Sequence, residues 1–502
     1  MKKVLAAVLS GLLCVTAFTG CSATELSCLK MSKEIMDTMK TCKVSGQIQM
    51  DMDFDSLAAF SSELSGMEIS AEELGVTGKK SAKLDYVSRM DMTNMAFDMD
   101  MDLTYDGKKY ELGDLYYGLT DGVYISGETI LGVYQLAMDV AKPNEDSYLL
   151  QEGFAKDLKT VLNQHKYIQI VDMEEMGVSQ EELEAVLPTD YQGIYDAAFR
   201  FYEDVFKGFQ TDMVKEVSGG YQIQTDGKAA AQMLVSMLDF IAQNPDQVFD
   251  ATEVYLTEVV KQMNDEEALE EIQELMVMIK EEKQSFISTV YYLKATLESA
   301  LQDDAVSKTL DSLHYVTTMK KNGDKFVSDS VFDVTYKGQK VLKITEKSTT
   351  EKMSVNMSAP KNSVSMDTLM ENVSALIHKY NPVTGVEMSW GWGDDNTEAM
   401  LLAERAEEVP FGFMEDHAWV DMQIKDGRAY LPLRLICNTL GEPVTWNNAE
   451  KTAYVIVDGK NVPMKGLLQD GRTFVAVRDF EKLGYTVSYV NEDGIKTATI
   501  AR

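Results

Sequence analysis

Histidine is nearly absent from this sequence. His165, His314, His378 and His417 are all that 502 residues hold, and no two of them stand at metal-ligand spacing. That excludes a His-Glu-x-x-His zinc helix, and the five cysteines include no Cys-x-x-Cys pair. A Gly-x-Ser-x-Gly elbow is also missing, and "GVTGKK" at 75–80 lacks both the length and the Ser/Thr of a phosphate loop. Basic residues are scarce as well, 47 against 81 acids, for a net charge of −34. Such a surface repels nucleic acid and anionic headgroups, and no basic stretch stands out in the sequence. The chain is too long for one ordinary core, so two or more domains are expected.

Long apolar runs are missing with one exception, Val4 to about Phe18. It is shorter than the ~20 residues that span a bilayer, follows Lys2 and Lys3, and ends in "FTGC" at Cys21. This is the form of a secretory signal over 1–20. The ending resembles the bacterial lipobox, with Phe18 standing where Leu is usual. The resemblance implies lipidation of Cys21 by a thioether-linked diacylglycerol with palmitate-type chains. It also implies an exported lipoprotein held on the outer face of the cell membrane, since two acyl chains give a stable anchor. Removing 1–20 takes two lysines and no acids, so the balance becomes 45 − 81 = −36.

Cysteine supplies no framework. Cys14 leaves with the signal and Cys21 takes the lipid, leaving Cys28, Cys42 and Cys437. The stretch 28–42 reads as helix, and its fourteen steps span about 20 Å, whereas a disulfide needs α-carbons within about 7 Å. Free, buried thiols are expected.

What the sequence does have is alternation. In "GQIQMDMDFD" Ile48, Met50, Met52 and Phe54 fall on one side, with Gln47, Gln49, Asp51, Asp53 and Asp55 on the other. In "MAFDMDMDLTYDG" Phe97, Met99, Met101, Leu103 and Tyr105 oppose Asp98, Asp100, Asp102, Thr104 and Asp106. Period two is the pattern of a half-buried strand, and Asp106-Gly107 and Asp121-Gly122 mark hairpins. A short helix over about 25–41 precedes this strand-rich stretch. Helices dominate about 146–301, with a hairpin near Gly219-Gly220. The longest is expected from about Asn264, its stripe running Leu269, Ile272, Met276, Ile279, Phe286, Val290, Leu293 and Leu297. Packing on the sheet suits it better than a coiled coil, because Lys283 interrupts the seam. Strands return at 314–358 with a turn at Lys337-Gly338, then a helix at about 365–378. The expected class is α+β: a large, curved antiparallel sheet, half-barrel-like, packed with helices over 21–380. In element order this resembles the lipoprotein carriers of the LolA and LppX type, which implies a concave face able to hold an apolar ligand. Residues 381–415 lose periodicity and read as a linker, with a short helix at 397–407.

The tail repeats itself. "DGRAYLPLRLICNTLGEPVTWNNAEKTAYVI" starts at Asp426 and "DGRTFVAVRDFEKLGYTVSYVNEDGIKTATI" at Asp470, an offset of 44. The signature residues of the first copy are Gly427, Arg428, Pro432, Arg434, Gly441 and Trp446. Those of the second are Gly471, Arg472, Arg478 and Gly484, with Tyr489 at the place of Trp446. Each copy reads as turn, strand, short Gly-ended helix and hairpin, and neither buries its faces alone. These residues resemble the copper amine oxidase N-terminal, or stalk, domain family over about 416–502. The resemblance implies a small α+β accessory module with a structural role. The second copy departs from the pattern, with Ala476 at the proline position and a helix one residue shorter. The oxidase itself needs a His-x-His pair and an Asn-Tyr-Asp/Glu motif. Neither is present, and "HKYNPV" has Tyr before Asn, so amine oxidase activity is not expected.

Two metal readings arise from the alternating strands. Methionine sulfurs suit Cu(I), but Met50, Met52, Met99 and Met101 share their face with core residues and read as core or apolar pocket. The aspartates imitate a calcium loop, yet Leu103 stands at the required Gly and Lys109 at the required Glu. A solvated acidic face is the plainer reading. No metal or cofactor is expected. The functional expectation is a non-catalytic surface lipoprotein, its partners a membrane through the anchor and a lipid or apolar ligand on Met50, Met52, Phe54, Phe97, Met99 and Met101. The alternative is a structural or adhesive envelope protein engaging wall polymer or a partner protein, with an unrecognised hydrolase third. Nucleic acid is not an expected partner.

Overall fold

The computed structural model describes residues 22–72, 76–92, 94–141, 147–173, 191–262, 266–355, 357–391, 398–405, 407, 417–457, 459–469, 471–492 and 494–502. Cys21 and the signal lie outside them. The fold is α+β, with a twelve-stranded, mostly antiparallel sheet, helices, and small C-terminal sheets. The chain divides into one unit of Met1–Val133 with Gln169–Ser363 and another of Tyr134–Ile168 with Val364–Arg502.

The large sheet is built from β1 (Thr41–Asp53), β2 (Lys79–Asp91), β3 (Ala96–Tyr105), β4 (Lys108–Gly118), β5 (Gly122–Ser126), β6 (Tyr167–Val171), β7 (Val214–Val217), β8 (Gly220–Asp226), β9 (Leu313–Asn322), β10 (Lys325–Tyr336), β11 (Gln339–Lys352) and β12 (Ser363–Ser365). Their order is β12-β6-β5-β4-β3-β2-β1-β11-β10-β9-β8-β7. The tight turns fall where the sequence puts them. Asp106-Gly107 and Lys337-Gly338 both hold positive φ at two successive residues, the geometry that matches strand twist in a two-residue hairpin.

The strand reading of the Met-Asp stretches holds, and its face assignment needs correction. Cys42 and Val44 are buried, but Ile48 and Met50 on the same face of β1 are 37% and 36% exposed. Met52, Phe97, Met99 and Met101 are half-buried. Phe54 is not on the strand at all: it opens the helix Phe54–Ser65, with Asp53 as N-cap accepting the Ser56 amide at 3.1 Å. A short polar side chain satisfies an orphan helix donor there. Register also separates the methionines. Met101 aligns through Tyr86 with Gly46, four residues or about 13 Å along β1 from Met50. The four sulfurs therefore share a face without converging on one point.

The helix Ala23–Thr38 begins immediately after Ser22, which closes a capping box with Glu25. Glu25 is fully buried. Its carboxylate accepts the Ser22 amide and the Thr211 amide, each at 2.9 Å, and the Thr211 hydroxyl, so the buried charge is hydrogen-bonded on both oxygens. Cys28 packs on Val214 and Ile223 of the sheet, while Leu29 meets Phe199, Tyr202 and Phe206 of the helical layer. This helix ends at Thr38, earlier than expected, so Cys42 belongs to β1. Cys28, Cys42 and Cys437 are buried, free thiols. Burial first, and then the Glu25 carboxylate, pushes the Cys28 thiol up to about 11. The long helix expected from Asn264 is two, Glu266–Glu281 and Lys283–Ala300. The first buries Ile272 and Met276 against the helix Pro245–Gln262. The second ties Lys294 to Asp239 of the helix Gly227–Gln243 at 2.5 Å and leaves Leu293 half exposed.

The polar face of the sheet pairs charges across strands, as in Arg89–Asp98 and Lys109–Asp102. It also sets like charges opposite each other: Asp85 faces Asp102, and Asp100 faces Asp114. Burial, then the Asp114 and Asp102 carboxylates, raise the Asp100 carboxyl above its ordinary value. A carboxyl with a raised folded pKa opposes folding when ionised in both states, and that penalty disappears below the unfolded pKa of about 3.9. Asp100→Asn should therefore stabilise the chain at pH 7, by about 0.2–1 kcal/mol as for other cross-strand pairs, and change nothing at pH 3. Thermal melts at the two pH values measure this, and a neutral-pH loss of stability would refute it.

Candidate functional site: a groove in the C-terminal unit

The second unit is organised by one strand pair. β13 (Val383–Trp390), β14 (Glu398–Arg405), β15 (His417–Asp421), β16 (Gln423–Lys425) and β17 (Arg428–Pro432) lead into the helix Leu433–Thr439. β18 (Val444–Asn447), β19 (Thr452–Val457), β20 (Lys460–Met464), β21 (Leu467–Gln469) and β22 (Arg472–Ala476) follow, then the 3₁₀ helix Val477–Leu483, β23 (Thr486–Glu492) and β24 (Ile495–Ala501). One sheet runs β16-β17-β22-β21, with Leu431 opposite Val475 at its centre. Since 475 − 431 = 44, equivalent residues of the two copies meet there, and the copies are related by a pseudo-two-fold axis through that pair. Leu431, Leu433, Ile436 and Cys437 of the first copy share one core with Val475, Val477, Phe480 and Leu483 of the second.

Each copy adds a third strand to its hairpin. In the first it is β20, giving β18-β19-β20; in the second it is β13, giving β23-β24-β13 within the sheet β15-β14-β13-β24-β23. The linker expected over 381–415 therefore fails at 383–390 and 398–405. Val386, Met388 and Trp390 alternate into the shared core, which Ala399 and Leu401 of β14 also join. The strand length is simply too short to register against the surrounding Gly and acid-rich sequence. The 397–407 helix is likewise replaced by β14. The helices Glu152–Leu162 and Met366–Tyr380 also belong to this unit, where Asp157 accepts from Lys379 at 2.6 Å and Tyr380 at 2.8 Å.

The signature residues divide into two kinds. Gly427, Gly441, Gly471 and Gly484 all hold positive φ, so they serve the turns and helix ends that side-chain residues resist. Pro432 is buried at the N-cap of the first helix. The second copy has Ala476 there and winds its helix as 3₁₀. The greater rise per residue of that form lets a segment one residue shorter span the same distance. The arginines behave differently. Arg434 and Arg478 are exposed, and no ion pair or hydrogen bond engages either among the described residues. Arg472 is exposed too and reaches Asp421 at 2.6 Å. None of the three holds the fold together as a buried ion pair would.

Between the first copy and its neighbours lies a groove of about 900 Å³. β15 supplies Trp419 and Asp421, the first helix Arg434, Leu435 and Asn438, and the β18–β19 hairpin Trp446, Asn448 and Lys451. Leu468 and Arg472 close the remaining side. Trp419 and Trp446 are 57% and 37% exposed, and Leu435 and Leu468 are exposed as well. Trp446 is oriented: its indole N–H donates to the Asn448 side-chain oxygen at 3.2 Å, while Asn447 caps the turn through the amides of Ala449 and Glu450. The second copy offers no equal. Tyr489 lies 6.0 Å from Trp390, and Pro463 stands at the place of Trp419. Trp446 and the signature arginines were visible in the sequence as structural markers. Trp419, Lys451 and Leu468 were not, because only the fold brings them to the same wall.

Residues 417–466 match the Copper amine oxidase N-terminal domain. The matched stretch runs from β15 through β20, so it takes in the first copy and the strand before it and stops short of the second. No curated protein and no solved structure matches the chain. Within the module the first copy keeps the pattern and carries the groove, while the second copy, with its alanine and 3₁₀ helix, completes the core. Buried behind the groove, Cys437 has its thiol pushed up to about 12 by burial and then by Glu442. Glu442 accepts from Tyr485 at 2.9 Å and from Arg502. Among the described residues no group of three or more His, Cys, Asp or Glu converges in a way that could hold a metal ion.

Proposed function

We propose that this protein is a non-catalytic, lipid-anchored surface protein whose C-terminal unit engages a polymer of the cell envelope through the Trp419–Trp446 groove. The observation that carries the reading is the pair of exposed tryptophans on one open wall. Exposed indoles leave large apolar faces in water, a cost that a stacked ligand removes. An open groove flanked by Asn438, Asn448 and Thr445 suits an extended, hydroxyl-rich chain better than a compact molecule. The envelope-binding alternative thus has more support than the apolar carrier expected first.

The anchor is supported by the apolar run from Val4 to about Phe18, the basic Lys2-Lys3 before it and the Cys21 that follows it. Cys21→Ser should move the chain from the membrane fraction to the soluble fraction; unchanged partitioning would remove the anchor from the proposal. For the groove, the full chain should co-sediment with insoluble wall polymer. Trp446→Ala should weaken that retention about tenfold, the equivalent of ~1.4 kcal/mol lost with one aromatic platform. Equal retention of the two proteins would count against the groove.

The half-exposed face of Ile48 and Met50 favours a second reading, in which the large sheet holds an apolar ligand as the carrier resemblance implied. Of the candidate apolar residues, Met101 lines a hollow of about 550 Å³, together with Tyr86, Asp85, Asp100 and Asp102. That lining is acidic and poorly suited to lipid. Native mass spectrometry of the chain decides the point: a lipid-sized adduct lost on denaturation would establish the carrier, and a bare polypeptide mass would leave the groove as the binding site.

A further inference from the structure

The chain carries 81 acids against 47 basic residues, and the groove wall reverses that balance. Among the described residues its charged side chains are Arg434, Lys451 and Arg472 against Asp421. Arg472 and Asp421 neutralise each other at 2.6 Å. Arg434 and Lys451 remain exposed, and no ion pair or hydrogen bond engages them among the described residues. Acids are at hand in residues 417–502 too, ten against eleven basic residues, and many lysines of the large sheet pair with carboxylates. Two cations left unpaired on the wall that also bears the tryptophans are therefore placed where an external anion would meet them.

We propose that the groove takes an anionic glycan, with sugar rings against Trp419 and Trp446 and the carboxylate or phosphate groups of the same polymer on Arg434 and Lys451. This rests on the reading of the groove as a polymer site and adds the chemistry of the polymer. Stacking accounts for the sugar: a pyranose presents a flat face of C–H bonds that an indole covers, whatever the substituents. The cations account for charge selection. A guanidinium presents a planar donor fork to a carboxylate or phosphate, and an ammonium acts as a point charge. The net charge of −34 adds a general repulsion of anions, so an anionic chain needs local cations such as these two to bind. Salt must then weaken binding, since both cations are exposed and screened within about 8–10 Å.

Titration of the full chain, followed by tryptophan fluorescence, tests this with three probes of equal length: an oligogalacturonate, a glycosyl-phosphate oligomer and a neutral glucan. One or both anionic probes should bind more tightly than the glucan, and the preference between them names the anion. Arg434→Ala should weaken the anionic probe about tenfold, the usual size for a charge-assisted contact. Lys451→Asn should do the same; asparagine suits this site because Lys451 sits at φ 48°. Both variants should melt with the parent, and raised salt should erase the difference. If the glucan binds as tightly as the anionic probes and Arg434→Ala changes nothing, the anionic assignment falls while the polymer site stands. If no probe binds and the chain also fails to co-sediment with wall polymer, the polymer site itself is wrong.

Discussion

The large unit depends on β1 finding β11. Gln47 pairs with Lys347, a separation of 347 − 47 = 300 residues, and β1 also pairs along its whole length with β2. β1 is thus the seam between two meanders, one built from β2 to β5 and one from β9 to β11, and neither meander can extend the other until the chain has traversed the helical region. Non-local pairing of this kind must overcome loop-closure entropy before it gains any contacts. Cys42 and Val44, buried at the start of β1, and the helix Ala23–Thr38, pinned through Glu25, hold the seam from one end.

The C-terminal unit solves a related problem at smaller scale. A single 44-residue copy has a strand, a short helix and a hairpin, too little to enclose a core. Pairing Leu431 with Val475 across the pseudo-two-fold lets two half-cores become one. β13, from before the repeat, then gives the second copy the third strand that β20 gives the first. With the core made jointly, the outer surfaces of the two copies are free to differ. The first keeps an open wall with Trp446 and Arg434; the second turns Tyr489 toward Trp390 and keeps Arg478 exposed.

The acids are unevenly distributed along the chain. Carboxylates crowd the polar face of the large sheet to the point that Asp85 faces Asp102 and Asp100 faces Asp114, pairs that oppose folding mildly. The groove carries two unpaired cations instead, Arg434 and Lys451. The same two charges on a basic protein would carry no information about ligand. Here they lie in a stretch, residues 417–502, whose eleven basic residues and ten acids nearly balance, so two unpaired cations weigh on the local charge of the groove.

Local pattern by itself determined the Met-Asp strands, their tight turns and the duplicated tail, because these depend on neighbours in sequence. Alternation of Met with Asp demands a pleat, Asp-Gly demands a tight turn, and repeated glycines mark backbone that must adopt positive φ. The buried, free thiols were expected from a helix over 28–42; the thiols are free and buried, but the helix ends at Thr38 and Cys42 lies in β1. Tertiary structure decided what local pattern does not encode. Phe54 left its strand because Asp53 caps a helix. The methionine face stayed partly open because few side chains reach Ile48 and Met50. Residues 383–390 and 398–405 became strands because β13 pairs with β24 of the second copy and β14 pairs in turn with β13. The groove belongs to this second class. Trp419, Arg434, Trp446, Lys451 and Arg472 are spread over more than fifty residues, and only the pairing of β17 with β22 brings them to one wall.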